Sequence, residues 1–428
     1  MKSAALVVLA ACSGAPSAGP VREADTPAAP SPTDAERHYT LWLGGARVGA
    51  AHETEAWSPA GLVLRRVEEI KFLRGDVPIA MTTTIEIAAD RRLVPTRVTW
   101  TERSTTDTGG PGLRRGELLR DGRGWTLAID DDGMGDQAAE AAPAPDAVPA
   151  ELVPLLVRRD GAFAGPVFLP ARGFVGGAGH VEAIAPGHLV AQYALDRGPT
   201  VEATIDLDAD GAPARVVDGE GVIAMRATAA QARAALTPVD LIAATSIPLL
   251  GHRSDRLWLD GELALPAVPG QAAHPTPTGL ELELSPRLPG DMPAGPLGTD
   301  RTREIAGLVA RVQARISPDL GARAATPRTA ASATAGDCTT FALAYAALAS
   351  RLAIPTRVVT GLRIDGDRLV RHRWAISWTG RTWIAVDAAF GAAPAGGDLI
   401  GLAVHDADDA GLIAGEAALT RVRTAGWQ

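Results

Sequence analysis

Apolar residues that alternate with a period of two, broken by glycine-rich turns, constrain the first third of this chain to antiparallel sheet. "HYTLWLGGARVGAAHETEAW" and "GLVLRRVEEIKFL" alternate in this way, and "MTTTIEIAADRRLVPTRVTWTER" reads as two strands around a polar turn. Successive strand side chains point to opposite faces, so such a pattern buries one face and wets the other. A loop follows at 130–150, then a short helix at "ELVPLLVRR", and strands resume with "HLVAQYAL" and "PTVEATIDLDADGAPARVVDG". The pieces "TIEIAADRRLVPTRV" and "TIDLDADGAPARV" look alike, each a strand, an acidic turn and Pro-x-Arg-Val. Asp206, Asp208, Asp210 and Gly211 mimic the opening of a calcium loop. However, Val217 stands at the twelfth position, where a bidentate Glu is needed, and Pro213 opposes an exiting helix. A hairpin turn is the better reading.

At 428 residues, with 46% hydrophobic and 21% charged, the chain exceeds one ordinary domain and can bury sizeable cores. "AQARAAL" (230–236) suggests a helical connector, and 240–287 a small β module ("DRLWLDGELALP", "GLELELSP"). A Pro/Gly linker follows at 286–300. In "REIAGLVARVQARI" apolar residues fall at 305, 308, 309, 312 and 316, the spacing of an amphipathic helix, with Asp300 placed to cap it. The expected organisation is a β-rich region at 37–236, a small β module and linker at 237–290, and a last domain at 291–428.

The net charge of −9 and the lack of a Lys/Arg patch interleaved with aromatics argue against nucleic-acid binding. No apolar run is long enough for a spanning helix. "MKSAALVVLAAC" has a basic residue, a short apolar stretch and Leu9-Ala10-Ala11-Cys12, the pattern of a secretory signal at 1–11. Its end resembles the bacterial lipobox, in which cleavage frees the cysteine for lipidation. Cys12 is then the expected lipid anchor, and residues 12–36, rich in Pro, Ala and Ser, a disordered tether. Ser13 after the cysteine favours the outer membrane, by resemblance to the sorting of such proteins. The expected location is the cell envelope, on its periplasmic or surface face.

If Cys12 carries lipid, the second cysteine, Cys338, has no partner for a disulfide, and a lone thiol in an exported protein is buried or used. In "GDCTTFALAYAAL" Cys338 sits in the first turn of a helix that stops before the proline of "AIPTR". There it meets the positive end of the helix and unpaired N–H groups, which favour thiolate and could bind an oxyanion. Phe341 and Tyr345 share its stripe, so a packed, inert cysteine is the competing reading. Strands follow: "TRVVTGLRI", "RLVRHRWAISW" and "RTWIAVD". Pairing the last two as a tight hairpin across Thr379-Gly380 sets Trp378 opposite Arg381, Ile376 opposite Trp383, Trp374 opposite Ala385 and His372 opposite Asp387. A carboxylate beside an imidazole fixes its tautomer and supports it as a base. The placement depends on register, because an odd slip would move Asp387 to the other face.

The run "GDCTTFALAYAALASRLAIPTRVVTGL", followed by "HRW" and "TWIAVDAAFGAAPA", resembles the transglutaminase-like core, a papain-related cysteine fold. Matching positions are Gly336, Cys338, Ile354-Pro355, Arg357-Val358, Gly361, His372, Trp374, Trp383 and Val386-Asp387. The resemblance covers about 300–400. It implies an α+β fold in which a helix carrying the cysteine packs on an antiparallel sheet carrying His and Asp, preceded by the β-rich N-terminal region. It also implies that Cys338 is the nucleophile, His372 the base and Asp387 its orienting partner. Ala353 stands where Gly usually precedes Ile-Pro, Ala388-Ala389 replace Pro-Thr, and Ile376 replaces a common acidic residue.

The remaining histidines, His38, His52, His180, His188, His252, His274 and His405, show no paired spacing such as His-Glu-x-x-His, so neither a metal site nor a cofactor is expected. The expected activity is cleavage or transfer of an acyl group from a peptide or protein amide, with hydrolysis slightly favoured over amine transfer. The rival reading is a non-catalytic envelope protein whose β region binds a ligand and whose C-terminal fold is a scaffold.

Overall fold

The computed structural model describes residues 33–106, 112–122, 124–131, 142–196, 200–219, 221–254, 256–261, 263–277, 279–322 and 326–428. The signal, Cys12 and most of the tether lie outside these. Fourteen strands form the first sheet. Seven run in order from Ala35–Leu43 to Gly124–Asp131, and seven more from Val148–Pro149 to Ile223–Ala227, the last pairing antiparallel with the first. Its turns follow from residue type. Leu43 lies opposite Ala46 across Gly44 and Gly45, both at positive φ, which only glycine adopts without cost.

The two look-alike segments share one turn. Asp90 donates its N–H to the Val94 carbonyl and accepts from the Arg92 and Val94 amides with Oδ1. Asp208 does the same with Ala212 and with the amides of Asp210 and Ala212. The third residue after each aspartate, Leu93 and Gly211, is left-handed. Asp208 thus spends its carboxylate on backbone amides, as a hairpin requires. Leu62, Ile87, Trp100 and Leu118 from the first seven strands share one core with Leu152, Phe168 and Phe174, so the sheet folds over on itself.

The second sheet has nine strands. In spatial order these are Gln271–Thr276, Gly279–Leu284, Arg256–Gly261, Val422–Trp427, Ile247–Leu250, then β2 (Arg368–Trp378), β1 (Thr356–Asp365) and β4 (Leu399–His405), with β3 (Trp383–Val386) also on β2. Residues 237–290 therefore do not stand apart as a small module; their strands complete the C-terminal sheet. Arg256–Gly261 pairs with the last strand of the chain, and Leu257, Leu259 and Leu282 share a core with Leu362, Leu369 and Ile400. A few short strands alone would bury too little to be stable.

Three helices flank this sheet: α1 (Thr302–Arg315), α2 (Cys338–Arg351) and α3 (Asp409–Leu419). Ile305, Leu308, Val309 and Val312 of α1, with Ile316 just beyond it, pack with Phe341, Tyr345 and Leu348 of α2 against Val358, Ala375 and Val386. The Asp300 carboxylate accepts from the Thr302 amide as α1 begins. On α3, Leu419 joins the C-terminal sheet's core, while Ala410, Ile413 and Ala417 pack on Val175, Leu195 and Val201 of the first sheet. Among the described residues no helix is long and apolar enough to cross a membrane.

Candidate active site

Cys338 is the first residue of α2, partly exposed and free of any disulfide. Asp337 caps the helix, with Oδ1 accepting from the Thr340 amide at 3.2 Å. Residue 336 has to be glycine, because a Cβ there would lie 2.2 Å from Oγ1 of Thr340, which is fully buried. The first-turn amides, including that of Cys338, have no partner within the helix.

The hairpin of β2 and β3 differs from the expected one by two residues. Trp378 lies opposite Trp383, Ile376 opposite Ala385 and Ala375 opposite Val386, so the loop is Thr379–Thr382 rather than Thr379-Gly380. Thr379 closes it, its N–H donating to the Thr382 carbonyl and its Oγ1 accepting from the Arg381 and Thr382 amides. Two contacts from the linker hold this wider turn: the Gly298 amide donates to the Gly380 carbonyl and the Arg301 amide to that of Thr379. His372 is therefore not directly opposite Asp387 but diagonal to it. A slip of two keeps the face, and the side chains meet: His372 Nε2 and Asp387 Oδ2 are 2.7 Å apart and both groups are buried. Asp387 Oδ1 accepts from the Ala389 and Phe390 amides at 3.1 and 3.3 Å, which fixes the carboxylate.

With Nε2 engaged by Asp387, Nδ1 is the ring nitrogen left for Cys338, which lies near enough to act on the imidazole's protonation. The imidazole stacks on Trp374 at 5.9 Å and meets Phe390 edge-on at 5.5 Å. Phe390 is 56% exposed, so it borders the site from the solvent side. Burial by itself would lower the His372 pKa, but the hydrogen bond to Asp387 and the interaction with Cys338 outweigh it and raise it to about 9.

Behind the cysteine runs a second polar chain that sequence reasoning did not find. Arg373, buried, donates to Thr339 Oγ1 (3.0 Å), Thr360 Oγ1 (2.9 Å) and Glu416 Oε1 (2.7 Å). Thr360 meets His405 Nε2 at 2.9 Å, and His405 Nδ1 donates to the Asp406 carbonyl. Burial, with Arg373 nearby, lowers His405 to about 4, so it is neutral and Thr360 donates to it. Arg74, at the end of strand Gly61–Arg74 in the first sheet, is ion-paired with Asp337. No spacing motif marks Arg74, since 263 residues separate it from Asp337.

These shifts fix a pH dependence. Between pH 6.5 and about 9 the folded protein keeps the His372 proton that the unfolded chain sheds, so that stabilisation is complete below 6.5 and disappears as pH rises. His405 works in reverse: its contribution is complete above 6.5 and lost as pH falls towards 4. Urea denaturation from pH 4 to 9 is expected to peak near 6.5, with limbs of up to about 1.4 kcal/mol per pH unit. Asp387→Asn should flatten the alkaline limb and His405→Gln the acid one.

Residues 294–388 match the core of the transglutaminase-like superfamily. A transglutaminase-like domain is present. No curated protein matches the chain. Among solved structures, a DUF1089 family protein from Pseudomonas aeruginosa is similar over 39% of this chain and 88% of its own, at 16% identity and a TM-score of 0.25. A β-barrel-like protein of domain of unknown function DUF1849 from Brucella abortus is similar over 45% and 95%, at 10% identity and a TM-score of 0.31. At such scores neither fixes fold or function.

Within the transglutaminase-like domain two of the departures have local explanations. Ala353, where glycine is usual, has φ +51°, the left-handed conformation that ends α2 and costs a Cβ-bearing residue about 1 kcal/mol. Ile376 is buried with Val359, Trp374 and Ala385, so it extends the apolar packing beside His372. Gly361 is required, because a Cβ there would stand 2.0 Å from the Ile400 carbonyl oxygen and 2.9 Å from the Trp374 ring.

Proposed function

We propose that the transglutaminase-like domain is a thiol enzyme acting on peptide or protein amides, with Cys338 as nucleophile, His372 as acid–base and Asp387 as its orienting partner. The reading rests on one observation: a buried imidazole, held by a carboxylate at 2.7 Å, is close enough to a cysteine at a helix start for the two to interact electrostatically. A histidine held protonated near neutral pH is suited to stabilising a thiolate. The thiolate attacks the amide carbonyl, a C–S bond forms, and the oxyanion accepts from the Cys338 amide. His372 gives its proton to the departing amine as the C–N bond breaks, leaving an acyl thioester. Water or a second amine then attacks the thioester, His372 takes its proton, and the thiolate is released. Hydrolysis is slightly favoured over amine transfer. Phe390, exposed beside His372, supplies an apolar surface for the substrate. Lipidation at Cys12 would hold the enzyme at the envelope, on the outer membrane.

The test is capture of the acyl-enzyme. Incubation with envelope peptides and acid quench should give one adduct, which peptide mass mapping places on Cys338 and which Cys338→Ala lacks. An adduct elsewhere, or equal labelling of both proteins, would refute the assignment.

A further inference from the structure

The first sheet brings together two histidines and a glutamate that linear spacing keeps apart. His38 lies directly opposite His52 in the antiparallel pair of strands Ala35–Leu43 and Ala46–Ser58, and Glu36 is two residues from His38, on the same face. The imidazoles stack with centroids 4.6 Å apart and planes within 10°. Both aim Nε2 at the same oxygen: Glu36 Oε1 is 2.9 Å from that of His52 and 3.4 Å from that of His38. All three donor atoms lie within 4.8 Å of one another. They border a cleft of about 560 Å³, also lined by Arg47, Glu69, Lys71 and Ala232–Leu236.

The geometry points to a divalent transition-metal site, of the zinc class, held by Glu36, His38 and His52. Bonds of about 2.0–2.2 Å at a tetrahedral angle place donors about 3.3–3.6 Å apart. The separations from Glu36 already approach this, so small side-chain rotations would seat an ion. Two imidazoles and one carboxylate suit zinc and its neighbours rather than calcium or magnesium, which take oxygen ligands. In the cleft Arg47, Lys71 and Arg233 stand against Glu36 and Glu69, one positive charge in excess, so it is the three converging donor atoms and not the local field that would hold the ion. Three protein ligands leave a fourth position towards the cleft for water or an anion. The site is built entirely by the first sheet and is separate from Cys338.

The test is calorimetric titration of the chelator-treated full chain with Zn²⁺, as wild type and as Cys338→Ala, which removes a competing thiol ligand. Both should take up one ion in the same saturable step. Loss of a mere hydrogen-bond partner to a ligand weakens metal affinity about 10–100-fold, so His52→Ala should weaken it by about 100-fold or more. Glu36→Gln, an exposed near-isosteric change, should weaken it with the fold intact by circular dichroism. His188→Ala, on an exposed imidazole paired with Asp206 in the same sheet, should leave it unchanged. Cobalt in the Cys338→Ala protein should give visible absorption that His52→Ala lacks. Absence of saturable binding, or equal affinity in the wild type and in folded Glu36→Gln and His52→Ala proteins, would overturn the proposal.

Discussion

His372→Ala is expected to slow alkylation of Cys338 by iodoacetamide at neutral pH by up to about 30-fold, the ratio between a full thiolate and the few per cent that an ordinary thiol ionises at about pH 7. The imidazole is the cationic group beside the thiol, and its partner Asp387 supports the protonated form. Removing it takes away the cation that stabilises thiolate, so the deficit should shrink as pH rises above the ordinary thiol range. Asp387→Asn preserves shape but removes the charge, and should give an intermediate loss with a shifted pH profile. Rates measured from pH 5 to 10, with folding checked by circular dichroism, decide the matter. A thiol equally reactive in wild type and His372→Ala would sink the enzymatic reading and favour a scaffold.

Arg74→Ala is expected to destabilise the whole protein by about 3–5 kcal/mol, the usual consequence of breaking a buried ion pair by removing one partner. Asp337 is about nine-tenths buried, and burial would raise its pKa, yet its pairing with Arg74 and its bond to the Thr340 amide lower it. Without Arg74 that carboxylate must be buried unpaired or protonated. In either case the cap of α2 weakens and Cys338 moves with it. A depressed pKa contributes stability above the unfolded value that is lost as pH falls, so the difference between wild type and Arg74→Ala should narrow in acid. Denaturant titration at pH 7 and at about pH 2.5, below the ordinary carboxylate range, reads both effects, and Arg74→Met with Asp337→Asn should recover part of the loss. A change below about 1 kcal/mol would mean that the pair acts like a solvated surface contact.

Local pattern was enough for much of this molecule. The strand pair around Asp90, the helix over 302–315 and the helix beginning at Cys338 follow from periodicity, caps and prolines, which act over a few residues. The same holds for the glycine turn at 44–45 and for the carboxylate turn at Asp208, where an aspartate occupied by its own backbone amides is a turn and not a ligand. The Cys338 helix start, together with a face shared by His372 and Asp387, was also legible, because pairing by an even step preserves faces.

The register itself was not legible. Thr379-Gly380 looks like a two-residue loop, but the linker amides of Gly298 and Arg301 bond to its carbonyls and hold a four-residue one, an interaction from outside the hairpin. The same limit hid the partner of the strands at 247–250 and 256–261, which is the last strand of the chain, and the pairing of Arg74 with Asp337. It also hid the meeting of His38 with His52. Sequence by itself determined the element types, the helix-start thiol and the residues that share a strand face, because those depend on neighbours along the chain. Tertiary structure alone decided which distant charges meet and which strands are adjacent, because burial and pairing energies arise only when the chain has closed on itself.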